Sequence, residues 1–122
     1  MAGTLVANTI NTDTGLFSTQ NAYQGIAKAW VNYNSVAQTI TGSFNVSSVT
    51  YSSTGNFTVN FTTAMTNANY AVATCCKATG SSAPVLTTSS ASAPTTTSIA
   101  LAMGDIVNYQ NVTLNCVVIF GA

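Results

Sequence analysis

Arginine, glutamate and histidine are absent from this chain, and charge of either sign is scarce. Asp13, Lys28, Lys77 and Asp105 are the only ionised side chains in 122 residues. Ordinary soluble domains carry roughly a quarter of their residues as Asp, Glu, Lys or Arg; here the figure is 3%. Each gap removes a class of function. Nucleic-acid binding neutralises phosphates with Lys and Arg, which two separated lysines set against two aspartates do not supply. Acid–base catalysis draws mainly on His, Glu, Asp and Lys, and two of those types are missing. A nucleophilic hydroxyl needs a base within hydrogen-bond reach, so the many Ser and Thr residues are not by themselves catalytic. Glycoside cleavage uses two carboxylates across a sugar; Asp13, near the N-terminus, and Asp105, in a turn, make a poor pair.

Other absences narrow the field further. Cys75, Cys76 and Cys116 are an odd set of cysteines, and with no histidine they lack the four ligands of a structural zinc site. A Cys76–Cys116 bridge is geometrically possible, but small buried thiols fit the pattern better. The eight glycines are scattered and form no phosphate-cradling loop. No apolar run approaches the roughly 18 residues of a membrane span. The opening Met1–Val6 lacks the basic and apolar regions of a secretory signal. The Asn-x-Ser/Thr triplets at Asn45, Asn56, Asn60 and Asn111 are therefore read as products of composition. Together these gaps predict a non-enzymatic protein with no cofactor, no metal, no nucleic-acid partner and no membrane span.

What remains is apolar and hydroxyl-rich. Hydrophobic residues make up 47% of the chain, the net charge is zero, and Thr, Ser and Asn number 21, 13 and 13. Disorder needs low hydrophobicity and high net charge, which this composition contradicts. Neutral surfaces associate and precipitate, so such a chain is expected to be stable mainly when other subunits occupy its surfaces.

Along the chain, residues 1–22 are polar and without periodicity, and are read as an extended N-terminal arm; residues 23–122 form the folded domain. Ala27, Ala29, Val31 and Tyr33 alternate with Lys28, Trp30, Asn32 and Asn34, the period of a strand. Further strands are predicted over Thr39–Phe44, with Ile40 as the apolar member, and over Val46–Tyr51 and Phe57–Phe61. The last two are joined as a hairpin through Gly55. Tyr70–Cys76, Ile99–Met103 and Val112–Phe120 follow, the last apolar on both faces toward its end and so either central or at a subunit interface. Residues 79–98, with Pro84 and Pro94, read as a long loop or as edge strands. About seven strands and no helical period predict an all-β antiparallel sandwich, jelly-roll-like. Lys and inward charges normally guard sheet edges; their scarcity suggests edges covered by neighbouring copies.

Phe57 and Phe61 alternate with Val59 as core residues. Trp30, on the strand face opposite Val31 and Tyr33, is the one candidate binding residue. It serves either as a sugar-stacking platform or, more in keeping with the composition, as a contact to the arm or a neighbouring chain. Lys28, Lys77 and Asp105 read as solvated strand and turn residues.

Three stretches carry a family resemblance. They are Gly25-Ile26-Ala27-Lys28-Ala29-Trp30-Val31-Asn32-Tyr33-Asn34, Ser43-Phe44-Asn45-Val46-Ser47-Ser48-Val49, and Gly55-Asn56-Phe57-Thr58-Val59-Asn60-Phe61-Thr62-Thr63-Ala64-Met65, the last followed by Asn67-Ala68-Asn69-Tyr70-Ala71-Val72. In order and spacing, residues 25–72 resemble a recurrent module of bacteriophage tail-fibre and virion structural proteins. Ser35 and Thr66 stand where that family often has Gly and Pro, differences expected to affect turns and not chemistry. The family has no catalytic residues to carry over. The resemblance implies a homotrimer on the phage particle surface, bound to other virion proteins through its N-terminal arm and exposing its β-domain to a host glycan or protein. As a tail fibre or spike component it would contribute to host attachment. The alternative is a capsid decoration or head-fibre protein, which small size, the absence of a shaft and the scarcity of charge also suit.

Overall fold

The computed structural model describes residue 3, residues 9–12 and 15–18 as backbone, and residues 25–77, 84–89, 92–105 and 108–121 in full. Ten strands are present among them: β1 Thr9–Thr12, β2 Gly15–Ser18, β3 Ala27–Asn34, β4 Thr39–Phe44, β5 Val46–Ser53, β6 Asn56–Phe61, β7 Ala71–Cys76, β8 Val85–Thr88, β9 Ser98–Gly104 and β10 Asn115–Phe120. β1 and β2 pair as a small antiparallel hairpin, from Thr9 opposite Ser18 to Thr12 opposite Gly15. The sequence reading of residues 1–22 as an arm without regular structure had not expected it. Asp13 lies outside the described residues.

The other eight strands make two four-stranded antiparallel sheets, ordered β4-β3-β10-β7 and β5-β6-β9-β8. The alternation that predicted each strand also assigns its faces. Ala29, Val31 and Tyr33 of β3 point inward with Val117 and Ile119 of β10. They meet Phe57, Val59 and Phe61 of β6, Ile99, Leu101 and Met103 of β9, and Leu86 of β8 in one core. The Tyr33 and Phe57 rings, one from each sheet, lie 5.0 Å apart at a tilt of 47°, within the favourable range for aromatic pairs. This is the expected β-sandwich, and Phe57 and Phe61 are core residues in it. Within residues 79–98, an edge strand, β8, forms at Val85 and Leu86, directly after a buried Pro84.

The chain crosses from one sheet to the other through a single residue, Asn45, between β4 and β5. Its φ of 53° is left-handed, a conformation that Asn tolerates better than most residues. The side chain fixes the corner. Nδ2 donates to the carbonyls of Lys28 at 3.0 Å and Thr63 at 3.2 Å, while Oδ1 accepts the Thr63 amide at 2.7 Å. The other triplet asparagines are occupied in the same way. Asn56 and Asn60 donate within the β5–β6 hairpin, and Asn111 accepts the Gly55 amide at 2.8 Å. Gly55 itself has a φ of 72°, and a Cβ there would run into the Met103 carbonyl oxygen.

A second polar anchor joins β3 to the segment before β10. Ser35 and Asn115 are both fully buried. The Ser35 hydroxyl donates to the Val112 carbonyl at 3.0 Å and accepts the Val112 amide at 2.9 Å. Asn115 Nδ2 donates to the Tyr33 carbonyl and to Ser35 Oγ. Ser35 is thus an interior hydrogen-bonding residue as well as a turn residue.

The edges are blunted, but not by charge. β4 carries a bulge between Asn32 and Tyr33 of its partner strand, and β5 shows register shifts at Val46/Ser48 and Tyr51/Ser53. β8 is four residues long with Pro84 before it. Bulges, short length and Pro each deter edge pairing, so three of the four edges carry a deterrent of their own; β7, the fourth, is regular.

Replacing Asn45 with Ala is expected to lower unfolding stability by about 2–4 kcal/mol, from lost hydrogen bonds and the left-handed backbone. Asn45→Gly, which accepts the same φ, should recover about 1 kcal/mol of that. Urea denaturation of the two variants measures both.

Candidate functional site

Because successive side chains of a strand point to opposite faces, the outer surface of the β4-β3-β10-β7 sheet follows from its register. Trp30 stands opposite Phe44 on one side and Val118 on the other, and Val118 stands opposite Ala73. One row across all four strands therefore reads Phe44, Trp30, Val118, Ala73. The adjoining row reads Gly42, Asn32, Cys116, Cys75, and Phe120 opposite Ala71 extends the surface on the other side. Phe44 is 55% exposed and Trp30 37% exposed; Ala71, Ala73 and Cys75 are exposed, and Val118 and Phe120 are half-buried. Lys28 and, just past the end of β7, Lys77 are the charged side chains that alternation places on this face among the described residues.

The Trp30 ring lies over Gly42. A Cβ at Gly42 would come within 3.3 Å of the ring, so the glycine lets the indole lie flat on β4. Trp30, the candidate binding residue of the sequence, is thus part of an apolar surface and not an isolated platform. Phe44, Val118 and Phe120 complete that surface. The apolar second face of β10 was visible in the sequence, whereas Phe44 was not: Ile40 and Phe44 share parity and suggest one face. The bulge at Thr41 separates them, so that Ile40 pairs with inward Tyr33 and Phe44 with outward Trp30.

The opposite outer surface has a different chemistry. On β5 and β6, Asn60 Nδ2 donates to both Ser48 Oγ and Thr50 Oγ1 at 3.0 Å, and Thr58 pairs with Ala100 of β9. A shallow depression of about 320 Å³ there is lined by Ser52, Ser53, Asn56, Thr58, Ser89 and Ser92 among others. Its lining contains neither charge nor an outward aromatic ring. Asp105, as expected of a turn residue, accepts the Asn108 amide and the Gln110 side-chain amide at 2.8 and 2.7 Å. No group of three or more His, Cys, Asp or Glu residues could hold a metal among the described residues. Among them, too, no helix is long and apolar enough to cross a membrane.

The three cysteines are free thiols and differ in setting. The structure does not bury them all: Cys75 is exposed, and Cys76 and Cys116 are half-buried. Cys76 faces inward, and its thiol donates to the Pro84 carbonyl at 3.0 Å. Burial raises its pKa, and the neighbouring Cys75 adds to the effect. Cys116 is pushed up to about 11, first by burial, then by its hydrogen bond with Cys75 and the proximity of the Cys75 and Cys76 sulfurs.

Comparison with models of protein families, with curated proteins and with solved structures returns no match to this chain.

Two outcomes test this description. Lys at Phe44 places a charge on an exposed edge-strand position, where it should leave the circular dichroism spectrum unchanged and reduce concentration-dependent association in light scattering. The Cys116 pKa lies above its ordinary value of 9.0, so the neutral thiol favours the folded state. Its contribution is complete below that value and is lost as pH rises toward 11. The urea midpoint should therefore fall between pH 9 and 11, and Cys116→Ser should flatten the decline.

Proposed function

We propose that this chain is a non-enzymatic structural subunit of a bacteriophage virion. It is exposed on the particle surface as part of a tail fibre or spike and contributes to host attachment. The observation that carries this reading is the largely apolar outer face of the β4-β3-β10-β7 sheet, with Trp30, Phe44, Val118 and Phe120 outward in a molecule with four charged side chains. An exposed apolar patch of this kind marks an interaction surface, and a protein that works as one copy among several has a use for it. The resemblance of residues 25–72 to phage fibre modules is what suggests a particle and a trimer. In this reading the apolar face meets neighbouring subunits and residues 1–22 meet other virion proteins. The hydroxyl-lined outer face of the second sheet stays in water toward a host glycan or protein.

Immunogold labelling of purified virions with an antibody to this chain tests the placement. Label at the tail, with a mass-spectrometric copy number matching a few trimers per particle, is the expected result. Label confined to the head, with many copies per particle, would overturn the tail placement and assign the chain to capsid decoration. Absence from the particle would overturn both.

A further inference from the structure

Cys75 and Cys116 occupy directly opposed positions on neighbouring antiparallel strands, β7 and β10. Both project from the outer face, and the Cys75 thiol is near enough to contribute to the raised pKa of Cys116. The Lys77 amide donates to the Leu114 carbonyl in the same register, which makes Cys75 and Cys116 a hydrogen-bonded pair. Such residues have Cα atoms about 5.5 Å apart, inside the roughly 4.4–6.8 Å that a disulfide spans. Their Cβ atoms, about 5.5 Å apart in such a pair, need to close by about 1–2 Å to reach bonding distance. β7 can supply that movement because it is an edge strand, hydrogen-bonded on one side to β10. Cys76 has no such option. It is opposed to Asn115 on the inner face, and its thiol is already engaged by the Pro84 carbonyl.

We infer that Cys75 and Cys116 form a redox-active thiol pair, which a small-molecule disulfide such as oxidised glutathione converts to a cross-strand bridge on the apolar face. The exposure of the two thiols sets the order of steps. The Cys75 thiol, open to solvent, loses its proton to water and its thiolate attacks one sulfur of the oxidant. One small thiolate leaves, and Cys75 is held as a mixed disulfide. Cys116, half-buried and slow to ionise, reacts second. Its sulfur attacks Cys75 Sγ across the strand pair, gives up its proton and expels the second small thiolate. The protein thiols lose two electrons and two protons in total, and the oxidant leaves as two thiols. The product joins edge strand β7 covalently to the central strand of its sheet and replaces two thiol groups on the apolar face with a less polar bridge.

The test uses the folded full-length chain carrying Cys76→Ser, so that two cysteines remain. After incubation with oxidised glutathione without denaturant, the protein is denatured in an alkylating reagent and weighed intact. The expected product is a monomer that takes up no alkyl groups and has lost two hydrogens in mass. Adding Cys116→Ser should stop the reaction at a glutathione adduct on Cys75, and the unmutated chain should retain one alkylatable thiol, at Cys76. Two alkylatable thiols after oxidation of the folded Cys76→Ser chain would overturn the inference. So would a product linked between two chains, or a bridge that includes Cys76 in the unmutated protein.

Discussion

The organising constraint of this molecule is that β10 is apolar on both faces of a sheet that has only one side against the core. Val117 and Ile119 go inward and are fully buried. The pleat then forces Val118 and Phe120 outward, where the only neighbours are the side chains of β3 and β7. Trp30 on β3 and Ala73 on β7 stand beside Val118 by register alone. Phe44 joins them because β4 pairs with β3. The apolar outer face is thus a consequence of one strand sequence placed centrally in a two-layer fold. A polar residue at Val118 would break the row at its middle.

The same reasoning shows what the sequence made legible. Period-two alternation located β3, β6 and β9 to within a residue or so, because inward positions in those strands are apolar and outward positions are mostly Thr, Asn, Ser or Ala. Three features were not legible. The bulge at Thr41 is a change of register between strands, and no single strand records it. Asn45 looked like one of many asparagines, yet its left-handed φ and three side-chain hydrogen bonds make it the corner between the sheets. Ser35 looked like a turn substitution, yet its hydroxyl satisfies both backbone groups of Val112, far away in sequence. In each case the decisive partner is distant along the chain. The candidate surface was half legible for the same reason: Trp30 and β10 could be read from single strands, and Phe44 could not.

Polar interactions in this protein do with amides and hydroxyls what other proteins do partly with ions. Interior backbone groups are met by Ser35 and Asn115, the sheet-to-sheet corner by Asn45, the β5–β6 surface by Asn60 and the end of the sandwich by Asn111. Neutral hydrogen bonds of this kind are each worth about 0.5–1.5 kcal/mol net and are not screened by salt. A fold held together this way gives up the charge repulsion that keeps most proteins apart in solution. It therefore relies on geometry to control how copies meet.

That control is visible at the edges. An open, regular edge strand extends a sheet from chain to chain without limit. β4 and β5 are interrupted by register shifts. β8 is short and follows a proline, and β7, the one regular edge, runs into Lys77. Edge-to-edge growth is disfavoured most at β4, β5 and β8. The outer face of the β4-β3-β10-β7 sheet has less to deter contact: Trp30 and Phe44 stand exposed in one row, with charge only at Lys28 and Lys77 among the described residues. Edge and face therefore differ in kind: strand addition is deterred at β4, β5 and β8 by backbone geometry, whereas the outer face is set by the side chains that β10 forces outward.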